Sequence, residues 1–365
     1  MDLQALQEAG LYDPADESAD ARLELLEFLD SEGCTLEEMQ VAATRGRLFA
    51  LAGDRRIRPL VGLLSLKEAG ERLEADPAHL QRVWRTLGLP SADTDAPLLT
   101  DGDVEALQTY LDVRAFLGEE TALGVARVIG AALARVSEAE SSAMRVGMEV
   151  IDLARSSSEV ETARAFSAVS RLVPRIGQML DAVHRQHLEA TRVHFEGIDV
   201  GDRAAFRCGV GFADLSGFTH LSHHLELAEL SQVLTIFEEQ TTDTVQAHGG
   251  RIVKFLGDAV MWVSAVPGDL ARIAYDLVTH PRAAMEGIDV RAGVAYGLVL
   301  AQDGDYFGTP VNLASRLVAR AEPGEVLTAG DLVDVLGVEW SAVPGEEATL
   351  RGFHDAVPVF TLTPA

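Results

Sequence analysis

The sequence predicts two structural regions, an all-α N-terminal region and a C-terminal α+β region. Up to about residue 195, apolar residues recur at the three- and four-residue spacing of amphipathic helices, as in "ADARLELLEFLDSEG" and "TALGVARVIGAALARVSEAE". After Gly197, short apolar runs of strand length alternate with helical segments. We therefore expect an all-helical domain over residues 1–157, a helical linker over 158–200 and an α+β domain over 201–365.

The order of the C-terminal segments predicts the topology of this α+β domain. It begins with a strand, "FRCGVGFADL", and a helix, "ELAELSQVLTIFEEQTTDTVQAH". The apolar positions of this helix are Leu227, Leu230, Leu234, Phe237 and Val245. Two short strands then flank a Leu-Gly-Asp turn, followed by the helix "GDLARIAYDLVTH", the strand "DVRAGVAYGLVLAQ" and the helix "PVNLASRLVARA". The order β-α-β-β-α-β is that of a ferredoxin-like core, with short additions near the C-terminus.

The linker has helical spacing from Glu159 to about Phe195 and is interrupted by Pro174. Two interpretations of this segment remain open. It could transmit a rigid-body movement between the domains, or it could be a spacer helix that packs on its own domain.

Composition excludes several classes of protein. The net charge of −27 repels the phosphates of nucleic acids and anionic lipid surfaces. The two cysteines, Cys34 and Cys208, are too few for a disulfide framework or a structural zinc site. The sequence has neither the roughly 18-residue apolar run of a membrane span nor an N-terminal signal peptide. We therefore expect a cytoplasmic protein without a membrane partner, whose polyanionic substrate would be bound through metal ions and a few cations.

Two acids stand where strands are predicted to end. Asp214 follows the first strand and Asp258 lies in the hairpin turn, so the two carboxylates can converge at one edge of the sheet. Paired carboxylates with backbone oxygens are ligands that Mg²⁺ and Mn²⁺ prefer. The turn over residues 216–219 begins a helix, whose free N–H groups can receive phosphate oxygens. The alternative is an ordinary strand followed by a helix N-cap.

Three motifs in this region resemble those of one enzyme family. They are "FADLSGFT", "KFLGD" and "GDYFGTPVNLASR", in this order within a stretch of about 100 residues. With them, residues 206–362 resemble the catalytic domain of class III adenylate cyclases. The first half resembles the helical regulatory domain of two-domain actinobacterial cyclases, including pH-responsive members.

The resemblance implies an adenylate cyclase, which converts ATP to 3′,5′-cyclic AMP and pyrophosphate. It implies that Asp214, Asp258 and the carbonyl of Leu215 bind two Mg²⁺ or Mn²⁺ ions. Lys254 and Asp305 match the pair that reads adenine, since an ammonium donates to the ring N1 and a carboxylate accepts from the exocyclic amine. Substrate contacts are also expected from Phe218 and Thr219, in the turn after the first strand.

The last long helix carries the residues that match the family's transition-state pair. Asn312 would orient the ribose and Arg316 would stabilise charge on the α-phosphoryl group. Arg351 lies where the family often has a lysine that contacts the terminal phosphates, and Glu325 stands where some relatives have a basic residue. In this family the metal aspartates come from one protomer and the other residues from its partner, so the resemblance implies a homodimer.

A second function class arises from the segment over residues 65–90, in which two short predicted helices carry Arg82 and Arg85. This pattern resembles a DNA-binding helix-turn-helix. The acidic net charge opposes phosphate contact, and small helical hairpins are common packing units. A DNA- or ligand-binding regulator with an inactive cyclase-like domain nevertheless remains the alternative function.

Histidines concentrate around the expected junction of the two domains. They are His184, His187, His194, His220, His223 and His224. Histidine changes charge near physiological pH, so a cluster at a junction suits a proton-sensitive switch. Surface histidines without any linkage to activity are the competing interpretation.

Overall fold

The computed structural model of the protein describes residues 2–90, 93–150, 158–195, 205–218, 222, 224–279 and 289–365, without the side chains of 145–150 and 193–195. The chain divides into two compact units, Met1–Glu189 and Ala190–Ala365. Within the described residues, no helix combines the length and apolar character that crossing a membrane requires.

The first unit is helical, as predicted. Its helices are α1 (Leu3–Glu8), α2 (Ala19–Ser31), α3 (Leu36–Thr44), α4 (Leu51–Ile57), α5 (Leu66–Leu73), α6 (Pro77–Thr86), α7 (Asp101–Leu117), α8 (Glu119–Val150) and α9 (Glu159–Ser170), with a 3₁₀ turn at Leu48–Ala50. The next helix, α10 (Val173–Phe195), begins in this unit and continues past its boundary at Glu189. Capping boxes begin three of these helices, at Thr35, Ser65 and Thr100. Their hydroxyls accept hydrogen bonds from backbone N–H groups that the first turn leaves free.

Two apolar clusters form the core of this unit. One includes Leu25, Leu29 and Leu51, and helix α9 adds Val160 and Ala163 to it. The other lies among α5–α8 and includes Trp84. Helix α9 therefore packs on the first cluster through an apolar face.

A partly buried polar network fastens α9 to the same helices. Arg56 of α4 donates to the hydroxyl of Ser167 at 2.6 Å and forms an ion pair with Glu32. The Ser167 hydroxyl donates to Glu32 at 3.0 Å. Although burial raises the pKa of Glu32, the hydrogen bonds from Arg56 and Ser167 outweigh it and hold that pKa below its usual range.

The interruption predicted in the linker segment is confirmed. Helix α9 ends at Ser170 and α10 begins at Val173, so Pro174 occupies the first turn of α10, where its missing N–H costs no hydrogen bond. The histidines His184 and His187 are exposed on α10, and His224 is exposed in the second unit. The side chain of His194, and His220 and His223 entirely, lie outside the described residues.

The segment that resembles a helix-turn-helix forms the helices α5 and α6. Asp76 caps α6 by accepting a hydrogen bond from the backbone N–H of Ala78, at 3.1 Å. Arg82 lies 3.7 Å from the carboxylate of Glu119 at the start of α8. One of the two arginines that motivated the DNA-binding hypothesis therefore contacts an acid of its own unit.

The second unit has the predicted β-α-β-β-α-β order. Its elements are β1 (Ala205–Leu215), α11 (Leu227–Ala247), β2 (Arg251–Leu256), β3 (Ala259–Ser264), α12 (Pro267–Thr279), β4 (Val290–Gln302), β5 (Asp305–Phe307), α13 (Thr309–Arg320), β6 (Val326–Ala329), α14 (Gly330–Val333), β7 (Trp340–Pro344) and β8 (Val359–Pro364). The sheet order is β2-β3-β1-β4-β6-β8-β7, with β5 paired to β4. The first four strands are antiparallel neighbours, β2-β3-β1-β4, as a ferredoxin-like core requires.

Helix α13 lies directly on β4 because β4 has a glycine at the crossing point. A Cβ atom on Gly293 would lie 2.3 Å from the backbone nitrogen of Val318 and 2.6 Å from the carbonyl oxygen of Ala314. Any larger residue would push the helix away from the sheet. This close approach fixes the helix that carries Asn312 and Arg316.

Candidate active site

Asp214 and Asp258, the two aspartates predicted to bind metal, meet at the end of β1. Strand β1 lies beside the β2–β3 hairpin, and the backbone N–H of Leu215 donates to the carbonyl of Asp258 at 3.1 Å. Gly257, with φ +71°, makes the tight turn that brings Asp258 to this position. The structure thus brings together Asp214, Leu215 and Asp258, as the sequence predicts.

An arginine that the sequence analysis did not identify also belongs to this site. Arg291 lies opposite Asp214 in the β1–β4 register and donates to its Oδ2 from Nη2 at 2.7 Å and from Nε at 3.2 Å. Its Nη1 lies 3.4 Å from the carbonyl oxygen of Ala319 and 3.5 Å from that of Ala321, at the end of α13. Arg291 therefore ties the carboxylate of Asp214 to the end of the helix that carries Asn312 and Arg316.

The surroundings of the two aspartates fit a divalent cation. Burial raises the pKa of Asp258, and repulsion from the Asp214 carboxylate raises it further. A cation between two such carboxylates would relieve this repulsion. The hydroxyl oxygen of Ser216 is also buried without a hydrogen-bond partner in the described part of the chain.

The number of protein ligands is small. Across the described residues, no group of three or more histidine, cysteine, aspartate or glutamate side chains is placed to hold a metal ion. A cation here would therefore complete its coordination with backbone oxygens, water or phosphate oxygens, as Mg²⁺ commonly does.

The turn after β1 has the form of a helix start. Gly217 has φ +76°, and the N–H of Ser222 donates to the carbonyl of Phe218 at 2.8 Å, as in one helical turn. The ring of Phe218 packs against the core of the second unit, whereas Thr219 lies outside the described residues. The hydrogen bond from Ser222 to Phe218 agrees with the predicted helix start, and the role of this turn toward phosphate stays a prediction.

Lys254 and Asp305, predicted as the base-reading pair, form an ion pair between Nζ and Oδ2. Both are about one third exposed, at 35% and 31%. The other oxygen of Asp305 accepts a hydrogen bond from the N–H of Tyr306, at 2.9 Å. A cationic donor and an anionic acceptor thus stand side by side at an accessible position.

A separate cavity of about 560 Å³ brings together Asn312, predicted to orient the ribose, and Arg316 and Arg351, predicted to contact the α-phosphoryl group and the terminal phosphates. Its described lining consists of Thr309, Asn312, Arg316 and the segment 351–358, which begins with Arg351. The two arginines give this cavity the positive charge that a polyphosphate requires. Neither Asp214 nor Asp258 belongs to that lining.

Glu325 stands where some relatives have a basic residue, and its carboxylate accepts two hydrogen bonds within the second unit. Its carboxylate accepts from the hydroxyl of Thr361 at 2.7 Å and from the N–H of Glu322 at 3.0 Å. The side chain therefore fastens the turn before β6 to β8.

Comparison with known proteins identifies both regions. Residues 5–191 match the family model described as adenylate cyclase regulatory domain, and residues 203–363 match the adenylate and guanylate cyclase catalytic domain. An uncharacterized protein of Mycobacterium tuberculosis is 47% identical over 99% of this chain and 94% of its own length. An adenylate cyclase of Streptomyces coelicolor is 35% identical over 76% and 71%. The pH-sensitive adenylate cyclase of Mycobacterium tuberculosis is 32% identical over 93% and 87%. The chain belongs to the class III nucleotide cyclases that carry an adenylate cyclase regulatory domain ahead of the catalytic domain.

Proposed function

We propose that the protein is an adenylate cyclase that converts ATP to 3′,5′-cyclic AMP and pyrophosphate. The ribose O3′ gives up its proton to water and forms a bond to the α-phosphorus, while the bond from that phosphorus to the α,β-bridging oxygen breaks and pyrophosphate leaves with the electron pair. The observation that supports ATP over GTP as the substrate is the Lys254–Asp305 pair. Adenine presents an acceptor at N1 and a donor at its exocyclic amine, which this pair complements. Guanine presents the opposite pattern, with a donor at N1 and an acceptor at O6.

The same site is proposed to use two divalent cations, Mg²⁺ or Mn²⁺, held by the carboxylates of Asp214 and Asp258 and by the carbonyl of Leu215. Such ions make a hydroxyl a better nucleophile and neutralise the charge of a leaving pyrophosphate. Arg291 holds the Asp214 carboxylate in a fixed orientation before any cation arrives. The N–H groups of the turn at Phe218 and Thr219 would receive phosphate oxygens.

The remaining roles are proposed for the cavity on α13. Asn312 would orient the ribose, Arg316 would stabilise charge on the α-phosphoryl group, and Arg351 would contact the terminal phosphates. This cavity does not include the metal aspartates in its described lining. We therefore propose that a homodimer completes each site, with the aspartates from one protomer and the cavity residues from its partner.

We also propose that the domain over residues 1–157 modulates the catalytic domain over 201–365 through the linker 158–200, with pH as its signal. The support is the similarity to a relative named as a pH-sensitive adenylate cyclase. The ratio of activities between the full chain and residues 190–365 should change between pH 5.5 and 8. A constant ratio would contradict this regulation.

The proposed activity is tested by incubating the full chain with ATP or GTP and Mg²⁺ or Mn²⁺ and measuring cyclic nucleotides by chromatography. Cyclic AMP should exceed cyclic GMP by at least about tenfold at equal substrate, because guanine cannot satisfy the donor of Lys254 and the acceptor of Asp305 as adenine does. The matched control is Asp214→Ala, which should make neither product. Absence of product from the unaltered chain at every pH would favour the alternative of an inactive cyclase-like domain.

A further inference from the structure

Two side-chain links connect β2 with β5, although these strands are not neighbours in the sheet. The first link is the Lys254–Asp305 ion pair. In the second, Arg251 Nη2 donates to the hydroxyl oxygen of Tyr306, and the guanidinium carbon of Arg251 lies 5.4 Å from the centre of the Tyr306 ring. The two links begin three residues apart on β2 and end on adjacent residues of β5.

The second link is anchored in the core. Tyr306 is 2% exposed, and its ring meets that of Phe206 edge-to-face at 6.1 Å. The Nε of Arg251 is buried without a hydrogen-bond partner among the described residues, so the Tyr306 ring and hydroxyl are the groups that hold this guanidinium. Moving Tyr306 would leave a charged group without its acceptor, which is costly in a buried position.

The first link is the one that a base would contact. An ammonium has three donors and a carboxylate has several acceptor sites, so Lys254 and Asp305 can hydrogen-bond to a base while they stay paired, provided that their separation matches its N1 and exocyclic amine. Strand β5 has only three residues, and its main-chain pairing is with β4. The Arg251–Tyr306 link therefore holds β5 to β2 independently of the Lys254–Asp305 pair.

We propose that Arg251 and Tyr306 are positioning residues that set the separation of Lys254 and Asp305 and thereby the preference for ATP over GTP. Side chains of adjacent strand residues point to opposite faces, so Tyr306 lies behind Asp305 and does not touch the base. This inference rests on the proposed reading of adenine by Lys254 and Asp305. The link acts on base recognition, and the residues proposed for phosphate transfer lie elsewhere, on α13 and at the end of β1.

The test compares Tyr306→Phe with the unaltered full chain, measuring kcat and KM for ATP and for GTP with Mn²⁺. Removing a hydroxyl that accepts from a charged donor should raise KM for ATP on the order of tenfold and lower the ATP-to-GTP ratio of kcat/KM by a similar factor. The value of kcat should stay within about twofold, because the transition-state contacts are retained. The control is Tyr275→Phe, the same chemical change at a ring that packs on Trp340. It should alter neither KM for ATP nor the ATP-to-GTP ratio of kcat/KM.

A double variant, Arg251→Met with Tyr306→Phe, distinguishes positioning from a general loss of stability. It removes donor and acceptor together, so thermal stability should recover relative to Tyr306→Phe while the ATP preference stays low. Recovery of the preference in the double variant, or an unchanged KM and ratio in Tyr306→Phe, would overturn the inference alone. An unaltered enzyme without any preference for ATP would overturn both this inference and the proposed substrate.

Discussion

Arg291 is the residue whose replacement tests most sharply how the carboxylates of Asp214 and Asp258 are held at the end of β1. Arg291→Met removes two hydrogen bonds to one oxygen of Asp214, between side chains that are only 28% and 20% exposed. Because hydrogen bonds to charged groups contribute about 1.5–3 kcal/mol, the catalytic domain should lose about that much stability. For a domain of this size, the loss corresponds to a decrease in Tm of about 3–12 °C.

The loss of stability in Arg291→Met should depend on whether a divalent cation such as Mn²⁺ is present. Without Arg291, the carboxylates of Asp214 and Asp258 repel each other without the guanidinium that now contacts Asp214. Added Mn²⁺ should therefore raise the Tm of the variant by more than it raises that of the unaltered chain. The assay is thermal unfolding followed by circular dichroism, with and without Mn²⁺.

Two further variants serve as controls for this experiment. Arg291→Lys keeps the charge but loses the two-donor geometry, so its Tm should lie between those of the unaltered chain and Arg291→Met. Arg320 is exposed at the end of α13, the helix end that Arg291 contacts. Arg320→Met should therefore change the free energy of unfolding by no more than about 0.5 kcal/mol. An Arg291→Met protein with an unchanged Tm, or with the same response to Mn²⁺ as the unaltered chain, would refute the reasoning.

The remaining predictions concern packing, catalysis and acid stability. Gly293→Ala should destabilise the catalytic domain by about 1–3 kcal/mol in denaturant unfolding, because its Cβ meets the backbone of α13 at 2.3 Å; an unchanged midpoint would contradict the close packing. Asn312→Ala should lower kcat at least about tenfold without changing Tm, and an unchanged kcat would exclude its proposed role. Arg56→Met should cost about 1–3 kcal/mol at pH 7 and less near pH 3. The pKa of Glu32 is lowered in the folded state, so its contribution is present above about pH 4.3 and is lost as pH falls; a cost independent of pH would contradict this.

The approach of Asp214 to Asp258 could be predicted because it follows from topology. In a β-α-β-β arrangement the first strand lies beside the hairpin, so a residue that ends the strand and one in the hairpin turn must approach each other. Asp214 and Asp258 meet for this reason. The family resemblance alone assigned Lys254 and Asp305 to one base, and topology could not predict their contact because it joins strands that are not neighbours in the sheet.

Other features depend on register and on the ends of elements, which local patterns do not specify. An arginine in a strand usually indicates a solvent-facing position, and only the pairing of Arg291 with Asp214 shows its role. The spacing of α11 placed Leu227 on the apolar face, but this residue opens the helix and is 83% exposed. Phe237 and Val245, farther along the same face, are buried as expected.

The central claim, a cyclase site shared between two protomers, is tested most directly by mixing inactive variants. Asp214→Ala and Asn312→Ala chains, unfolded and refolded together in equal amounts, should form heterodimers in half of the molecules. Each heterodimer would have one intact site, so activity should return to about one quarter of that of the unaltered enzyme. A mixture of Asp214→Ala and Asp258→Ala should stay inactive, because both lesions fall on the same half of the site. Cyclic AMP formation by the first mixture at no more than the level of its separate components would contradict the claim.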